Sequence, residues 1–470
     1  MPQLRSECDT ALSHPKIRTG IHLSGRNIEV VADTLTLTPE RGRDDHISVA
    51  ALFVVLDSGR PRSSTRHLLR GVERAILGRE RDALAARADA TLRLGLPDPH
   101  LSVEHAVVER SLGGWQVRDL GSKNGLSVNG ERLAHKVLED GDWIEIGETF
   151  LRFRTLKVSP TTPDDATGSL SVVPTVEQAL RRLADIAPST VSVLLLGESG
   201  VGKEVAARMI HELSGRPGDF VAVNCAGLVE TLAAATLFGH RRGAYTGAID
   251  DRPGAIRSAH RGTLLLDEIA DLPLATQGTL LRVLQEREVV PVGETAPQPV
   301  DVRFIAATHK DLEREVEAGR FRVDLYARLA GLRATLPPLR HRIEDLGTLV
   351  AAALGRHAPA AHLGLSPAAA WAMCRDRWPL NIRELDQALA AASAVATGAR
   401  ITLDHLPEQV ASRAPAAAVE VARREELISL LRTHRGNLAA VARSLDTSRA
   451  QIHRLLRRFD LDPDAYRRTG

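Results

Sequence analysis

Lys203 closes the run Gly197-Glu198-Ser199-Gly200-Val201-Gly202-Lys203-Glu204, and this spacing points to phosphate chemistry. Glycines at such intervals let backbone N–H groups face an anion, and a following helix N-terminus adds partial positive charge. Lys203 would reach the β- and γ-phosphates of a nucleotide. The Ser or Thr that usually follows this lysine and binds Mg²⁺ is Glu204 here. The whole chain has six lysines, so a chance lysine at this spot is a poor explanation. About 65 residues further on, Thr263-Leu-Leu-Leu-Asp267-Glu268 reads as an apolar strand ending in two carboxylates. In a nucleotide-binding α/β sheet the first acid holds Mg²⁺ and the second polarises the attacking water. A third strand, Val302–Ala307, ends at Thr308, a candidate γ-phosphate sensor. Arg322 and Arg328 follow on a helical segment, where a solvated face is the plainer reading.

These groups need a scaffold, and the pattern supplies one. The apolar run Val191–Leu196 reads as a buried strand before the glycine loop, and Glu204–Leu213 as a helix after it. Strands alternate with helices from about 174 to 340, the signature of an α/β domain. From Val49 to Lys157, short apolar runs alternate with Gly, Asp and Asn turns, which predicts an all-β sandwich. Residues 158–172 and 406–420 have linker composition. The predicted domains are therefore an unassigned segment 1–46, a sandwich 47–157, an α/β domain 173–405 that turns helical from about 341, and an all-α segment 421–470.

Composition sets outer limits. The chain has 470 residues, 43% hydrophobic and 26% charged, with net charge +2. That length suggests about three domains at roughly 150 residues each. Cys8, Cys225 and Cys374 are too few and too scattered for a disulfide framework or a paired-cysteine metal site. A reducing cytoplasm is the expected compartment. No apolar run reaches membrane-spanning length, so no membrane association is expected.

The ordered motifs GESGVGKE, LFGHRRGAYTGA (237–248), GTLLLDEI (262–269), RFIAATHKDL (303–312), FRVDLYARL (321–329), LPPLRHRIEDL (336–346) and WPLNIREL (378–385) resemble the AAA+ domain of sigma-54-dependent transcriptional activators. The resemblance covers about half the chain, and Glu204 after the loop lysine is the habit of that family. It implies ATP and Mg²⁺ as cofactors, with Asp267 on the metal and Glu268 activating water. Asn224 matches the asparagine that switches this glutamate. Arg322 and Arg328 match arginine fingers that reach a neighbouring subunit, which implies a ring, usually a hexamer. Arg383 matches the second sensor on the lid. Gly243, Ala244, Tyr245, Thr246, Gly247 and Ala248 would form the loop that pushes on sigma-54. Departures are Tyr245 for Phe, Thr236 and Arg241 for glutamates, Arg257 and Arg261 for Glu and Gly, and Leu380 for Gly. They put the coupling of hydrolysis to loop movement in question.

Gly78-Arg79, Ser102-Val-Glu-His105, Asp119 to Gly125 and Val128-Asn129-Gly130 together resemble a forkhead-associated (FHA) domain. Arg79 and Ser102 would then contact a phosphothreonine, Asn124 the peptide backbone, and His105 would brace the loop. Val103 stands where that family often has Arg. The ligand would be a phosphothreonine protein, or the chain's own linker at Thr161 or Thr162, each followed three residues later by an acid. A solvated spacer is the plainer view of that linker.

Residues 421–470 hold eleven arginines and six acids, a local basic footprint. Gly436–Leu445 and Ser448–Phe459 read as two helices across a turn at Asp446-Thr447. Ile452, Leu455, Leu456 and Phe459 share one face, leaving Arg449, His453 and Arg454 outward for double-stranded DNA. The segment resembles the Fis-type helix-turn-helix that ends these activators. The leading expectation is an ATP-driven activator acting on sigma-54 RNA polymerase. The alternatives are a DNA-binding regulator with a poorly coupled ATPase, and a generic AAA+ remodeller.

Overall fold

Five parallel strands form the central sheet of this computed structural model, in the spatial order Phe220–Asn224, Thr263–Asp267, Arg303–Thr308, Val193–Leu196, Leu332–Thr335. Residues 46–167, 170–245, 248–359, 362–412, 416–445, 447–459 and 461–466 are described. Residues 1–45 of the unassigned segment, the turn residue Asp446 and the loop residues Thr246 and Gly247 lie outside them. Leu264, Leu266, Phe304 and Ala306 pack on one face of the sheet, and Leu265, Ile305 and Ala307 on the other. Burial on both faces explains why these strands read as unbroken apolar runs. Asn224 pairs in register with Asp267, Asp267 with Ala307, and Leu196 with Thr308. The candidate chemical residues therefore leave the sheet along one carboxyl-end edge, where ligands of such sheets bind.

The N-terminal part is a two-sheet sandwich. One sheet runs Asp165–Thr167, Thr65–Leu68, Ile47–Asp57, Thr149–Val158, Trp143–Ile146, Leu126–Val128, Glu131–Leu133. The other runs His135–Val137, Gly114–Asp119, Ala106–Ser111, Arg74–Arg79, Thr91–Leu96, Leu84–Ala88. Leu52 of the long first strand points between the sheets. Its neighbours Val49, Ala51, Phe53 and Val55 point outward, yet they are buried too.

What covers them is the lid. The helices Leu346–His357, Pro367–Arg375 and Asn381–Val395 share one hydrophobic core with that outer sheet face. Trp371 lies at its centre, 6.5 Å from the Trp143 ring and 6.0 Å from Phe150. Polar contacts frame it. Glu344 accepts from Arg154 at 2.5 Å and lies 3.4 Å from Arg152, Ser64 N donates to Thr348 at 2.9 Å, and Arg400 forms a two-pronged pair with Glu148 at 2.7 and 3.0 Å. The sandwich is thus a fixed part of the ATPase lid and not a tethered module.

The linker expected over 158–172 is corrected accordingly. Asp165–Thr167 adds a strand to the edge strand Thr65–Leu68. Asp165 is held by His67 at 2.7 Å and by both nitrogens of the Arg87 fork. His67 and Arg87 bonding hold its carboxyl well below the usual range despite partial burial. Further on, Asp345 accepts from Ser171 and the Val172 N–H. Polar composition suggested a spacer, but these side chains are spent on specific partners. The linker expected over 406–420 is also interrupted, by the helix Glu408–Ala411 and by the start of the helix Ala416–Thr433.

Ala416–Thr433 packs against the lid helix Pro367–Arg375 and reaches the C-terminal pair Leu438–Ser444 and Arg449–Arg458. Asn437 and Ser448 cap the pair through their side chains, as N-cap Asn and Ser do. Ile452 and Leu456 are buried with Leu427, Leu431, Leu438 and Val441, and Leu455 and Phe459 pack against them. Where this helix meets the sandwich, Glu425 faces Glu145. Burial pushes each up to about 7, and Glu425 adds to the effect on Glu145. Both folded values lie above the ordinary 4.5, so their contribution is full below that pH and is lost as pH rises through about 7. Hydrogen exchange across residues 416–433, corrected for intrinsic rates, should therefore speed up between pH 6 and pH 8.

Candidate nucleotide site and phosphate cleft

The glycine loop leaves the strand Val193–Leu196 and enters the helix Lys203–Ser214. Gly197, Gly200 and Gly202 all take positive φ, which L side chains rarely adopt. Lys203 is 7% exposed and folds back on its own loop, donating to the Gly197 carbonyl at 2.9 Å and the Glu198 carbonyl at 3.2 Å. Burial lowers its pKa, against the pull of Glu268 and Asp267. Asp267 moves the other way, raised by burial and then by neighbouring Glu268. Two crowded carboxylates beside a phosphate-type loop form a donor set that suits a divalent cation. Glu204 points away and pairs with Arg208 at 2.8 Å.

Glu268 has φ 50 and ψ 48, a left-handed backbone. For a residue with a Cβ this costs about 1–2 kcal/mol, and the surrounding bonds hold it. Its Oε2 accepts from His309 Nδ1 at 2.8 Å, His309 N at 3.3 Å and Thr308 Oγ1 at 3.3 Å. Asn224, expected to be the partner of this glutamate, is engaged elsewhere. Its side-chain oxygen accepts from Ala226 N at 3.0 Å and caps a short turn.

The lid grips the loop from above. Arg340 clasps Glu198 at 2.6 and 2.8 Å and, with Asn381, holds its pKa down at about 2. Asn381 donates to Glu198 at 3.1 Å and to the Ser199 carbonyl at 3.0 Å, and Arg383 donates to Ser199 Oγ at 3.0 Å. Arg342 donates to the Val201 carbonyl at 2.5 Å. A Cβ on Gly200 would collide with the Leu380 carbonyl, so only glycine admits this approach. Arg340, Arg342, Asn381 and His309 were not singled out from the sequence. Three of them are hydrogen-bonding residues inside the motifs LPPLRHRIEDL and WPLNIREL, which was the available signal.

Arg322 precedes the helix Val323–Leu329 and pairs with Asp324 at 2.7 Å. Arg328 is exposed on that helix. At the loop 243–248, Gly243 N donates to the Ala248 carbonyl and the Tyr245 ring stands 5.1 Å from His240. Arg241 staples its base to Asp251 and Glu294, both at 2.5 Å. Leu380, with φ −102, occupies a backbone open to any residue. Arg261, with φ 60, bears strain that the usual glycine would not.

On the sandwich, Arg79, His100, Ser102, Lys123 and Asn124 line a cleft. Among the described residues no carboxylate pairs with Arg79 or Lys123, so two cations line the cleft, and Ser102 Oγ accepts from the Lys123 N–H at 3.2 Å. His105 Nδ1 accepts from Ser102 N at 3.2 Å, which leaves Nε2 to donate to the Gly125 carbonyl at 2.9 Å. The histidine thereby ties together the two loops that form the cleft. A Cβ on Gly78 would collide with the Val103 carbonyl, which fixes the Ser102 loop against that strand. Asn124 donates to the His100 carbonyl at 2.6 Å. Thr161 and Thr162 are not at this cleft. Their segment is held by Arg70, which bonds the Pro160 and Thr162 carbonyls and pairs with Asp164. At the C-terminus Arg449, His453 and Arg454 are exposed on one helix.

The five-stranded parallel sheet, glycine loop, paired carboxylates and helical lid define an AAA+ ATPase. The sequence model of the Sigma-54 interaction domain matches residues 170–335, that of the AAA+ ATPase lid domain 340–423, and that of the FHA domain 75–147. The Sigma54-dependent transcriptional activator SfnR of Pseudomonas putida is 45% identical over 245 residues, 51% of this chain and 67% of that protein. The chain belongs to the sigma-54-dependent transcriptional regulators. The Acetoin catabolism regulatory protein of Cupriavidus necator is 42% identical over 312 residues, 62% of this chain and 47% of that protein. The chain thus spans about half the length of that relative. Among solved structures, NtrX from Brucella abortus in complex with ADP matches at 31% identity, covering 63% of this chain and 70% of that one, with a TM-score of 0.47. Among the described residues, no helix is long and apolar enough to cross a membrane.

Proposed function

We propose that the chain is an ATP-hydrolysing transcriptional activator that binds upstream DNA and remodels RNA polymerase carrying sigma-54. The observation that carries this reading is the meeting of Lys203, Asp267, Glu268 and Thr308 at one sheet edge, in a chain that also holds the 243–248 loop. Lys203 and the loop N–H groups would bind the ATP phosphates, and Asp267 would hold Mg²⁺. That ion would supply charge neutralisation at the phosphates. Glu268 would take the proton of the attacking water, Thr308 would sense the γ-phosphate, and Arg383 would report it to the lid. Arg322 and Arg328 would complete a neighbour's site, which makes a ring, a hexamer in this family, the active form. Tyr245 and Thr246 would form the tip that engages sigma-54. Arg449, His453 and Arg454 would enter the major groove or contact phosphates. Such a role belongs in the cytoplasm.

The sandwich would bind a phosphothreonine protein at Arg79, Ser102 and Asn124. The pinned segment 160–167 argues against the chain's own Thr161 or Thr162 as that ligand. Because the sandwich is bolted to the lid, a ligand there has a short route to the ATPase. His100 lines the cleft and lies 3.4 Å from Glu148, which grips Arg400 of the lid. Titration of the full chain with phosphothreonine peptides should show phosphate-dependent binding, weakened at least tenfold by Arg79→Ala, since charge-assisted bonds to a dianion are lost. Equal binding of phosphorylated and unphosphorylated peptide would contradict the sensor reading.

A further inference from the structure

Glu268 directs its carboxylate to the end of the neighbouring strand Arg303–Thr308. Oε2 takes its hydrogen bonds from that end alone, and the shortest comes from the His309 imidazole at 2.8 Å. The other oxygen lies 3.9 Å from Lys203 Nζ. The His309 side chain is 47% exposed, so its approach to Glu268 is not forced by burial. Asn224, the residue that resemblance would assign to this task, caps Ala226 instead.

We propose that His309 is a positioning residue that restrains Glu268 until ATP is seated. The inference rests on the chain being an ATPase. The other side chains that meet Glu268, Lys203 and Thr308, each have a competing task once ATP arrives. Lys203 must leave the Gly197 and Glu198 carbonyls for the phosphates. Thr308 turns its hydroxyl to the γ-phosphate. The His309 imidazole has no second hydrogen-bond partner among the described residues, so its bond is the last side-chain restraint to break. This restraint slows turnover in the absence of a stimulus, and it acts through Glu268 without touching the phosphate cradle.

The test uses the full chain. His309→Ala should raise the unstimulated kcat for ATP at least threefold and leave KM within twofold. Affinity for a fluorescent ADP, a readout independent of turnover, should stay unchanged. His309→Asn retains an N–H donor and should return kcat to near wild type. Glu268→Gln combined with His309→Ala should show no acceleration, because no base remains to be released. Should the alanine variant lose thermal stability, His309→Leu keeps bulk, removes the donor and should give the same rise. An unchanged or lowered kcat with intact ADP affinity overturns the proposal, as does equal acceleration by Asn and Ala. A wild-type chain that binds ADP but never turns over ATP would instead contradict the ATPase reading.

Discussion

Glu268→Gln should bind ATP as tightly as the wild type and lose at least about 100-fold in turnover, the usual scale for removing one group that stabilises the transition state. The substitution keeps shape and hydrogen-bonding reach but removes the base. Lys203→Ala should fail earlier, at nucleotide binding. Its Nζ is the cation inside the glycine loop and already bonds the loop carbonyls at 2.9 and 3.2 Å. Equilibrium nucleotide binding alongside steady-state turnover separates the two failures. Undiminished turnover in Glu268→Gln would remove that residue from the chemistry.

Trp371→Ala should cost about 3–5 kcal/mol of stability, the range for emptying a large aromatic from a core. Trp371 is 1% exposed and touches both Trp143 and Phe150 of the sandwich, so the cavity opens where lid and sandwich meet. Denaturant unfolding of the full chain measures it. The same packing predicts that a sandwich cut out as residues 47–157 exposes Val49, Phe53, Trp143 and Phe150 as one apolar patch and self-associates. A loss below about 1 kcal/mol, outside that range, would show that the two parts are not packed as one body.

The ATPase was legible because its chemistry is written in local motifs. Glycines, paired acids and apolar strands fall in a fixed order, and the parallel strands then bring Asn224, Asp267 and Thr308 to one edge of the sheet. The docking of the sandwich was harder to read, although one trace of it was present. Ile47–Asp57 is apolar at nearly every position, which a sheet with one face in water would not tolerate. The segment 158–172 misled because Asp and Thr signal a spacer by composition, while their partners His67, Arg70 and Arg87 lie far away in sequence. His309 was equally hidden. A polar residue after a strand carries no mark of the carboxylate it will meet across a neighbouring strand. The exposed Leu380 looked like a defect only by comparison with glycine, and its backbone has an ordinary φ.

The most direct test of the central claim is open-complex formation on a sigma-54 promoter that carries the chain's own DNA site upstream. The reaction contains the purified chain, sigma-54 RNA polymerase and ATP, and strand separation is read by permanganate reactivity. Opening should require ATP. It should vanish in Glu268→Gln and in Thr246→Ala, while Thr246→Ala keeps its ATP turnover. Opening without ATP, or undiminished opening by Glu268→Gln, would contradict the account.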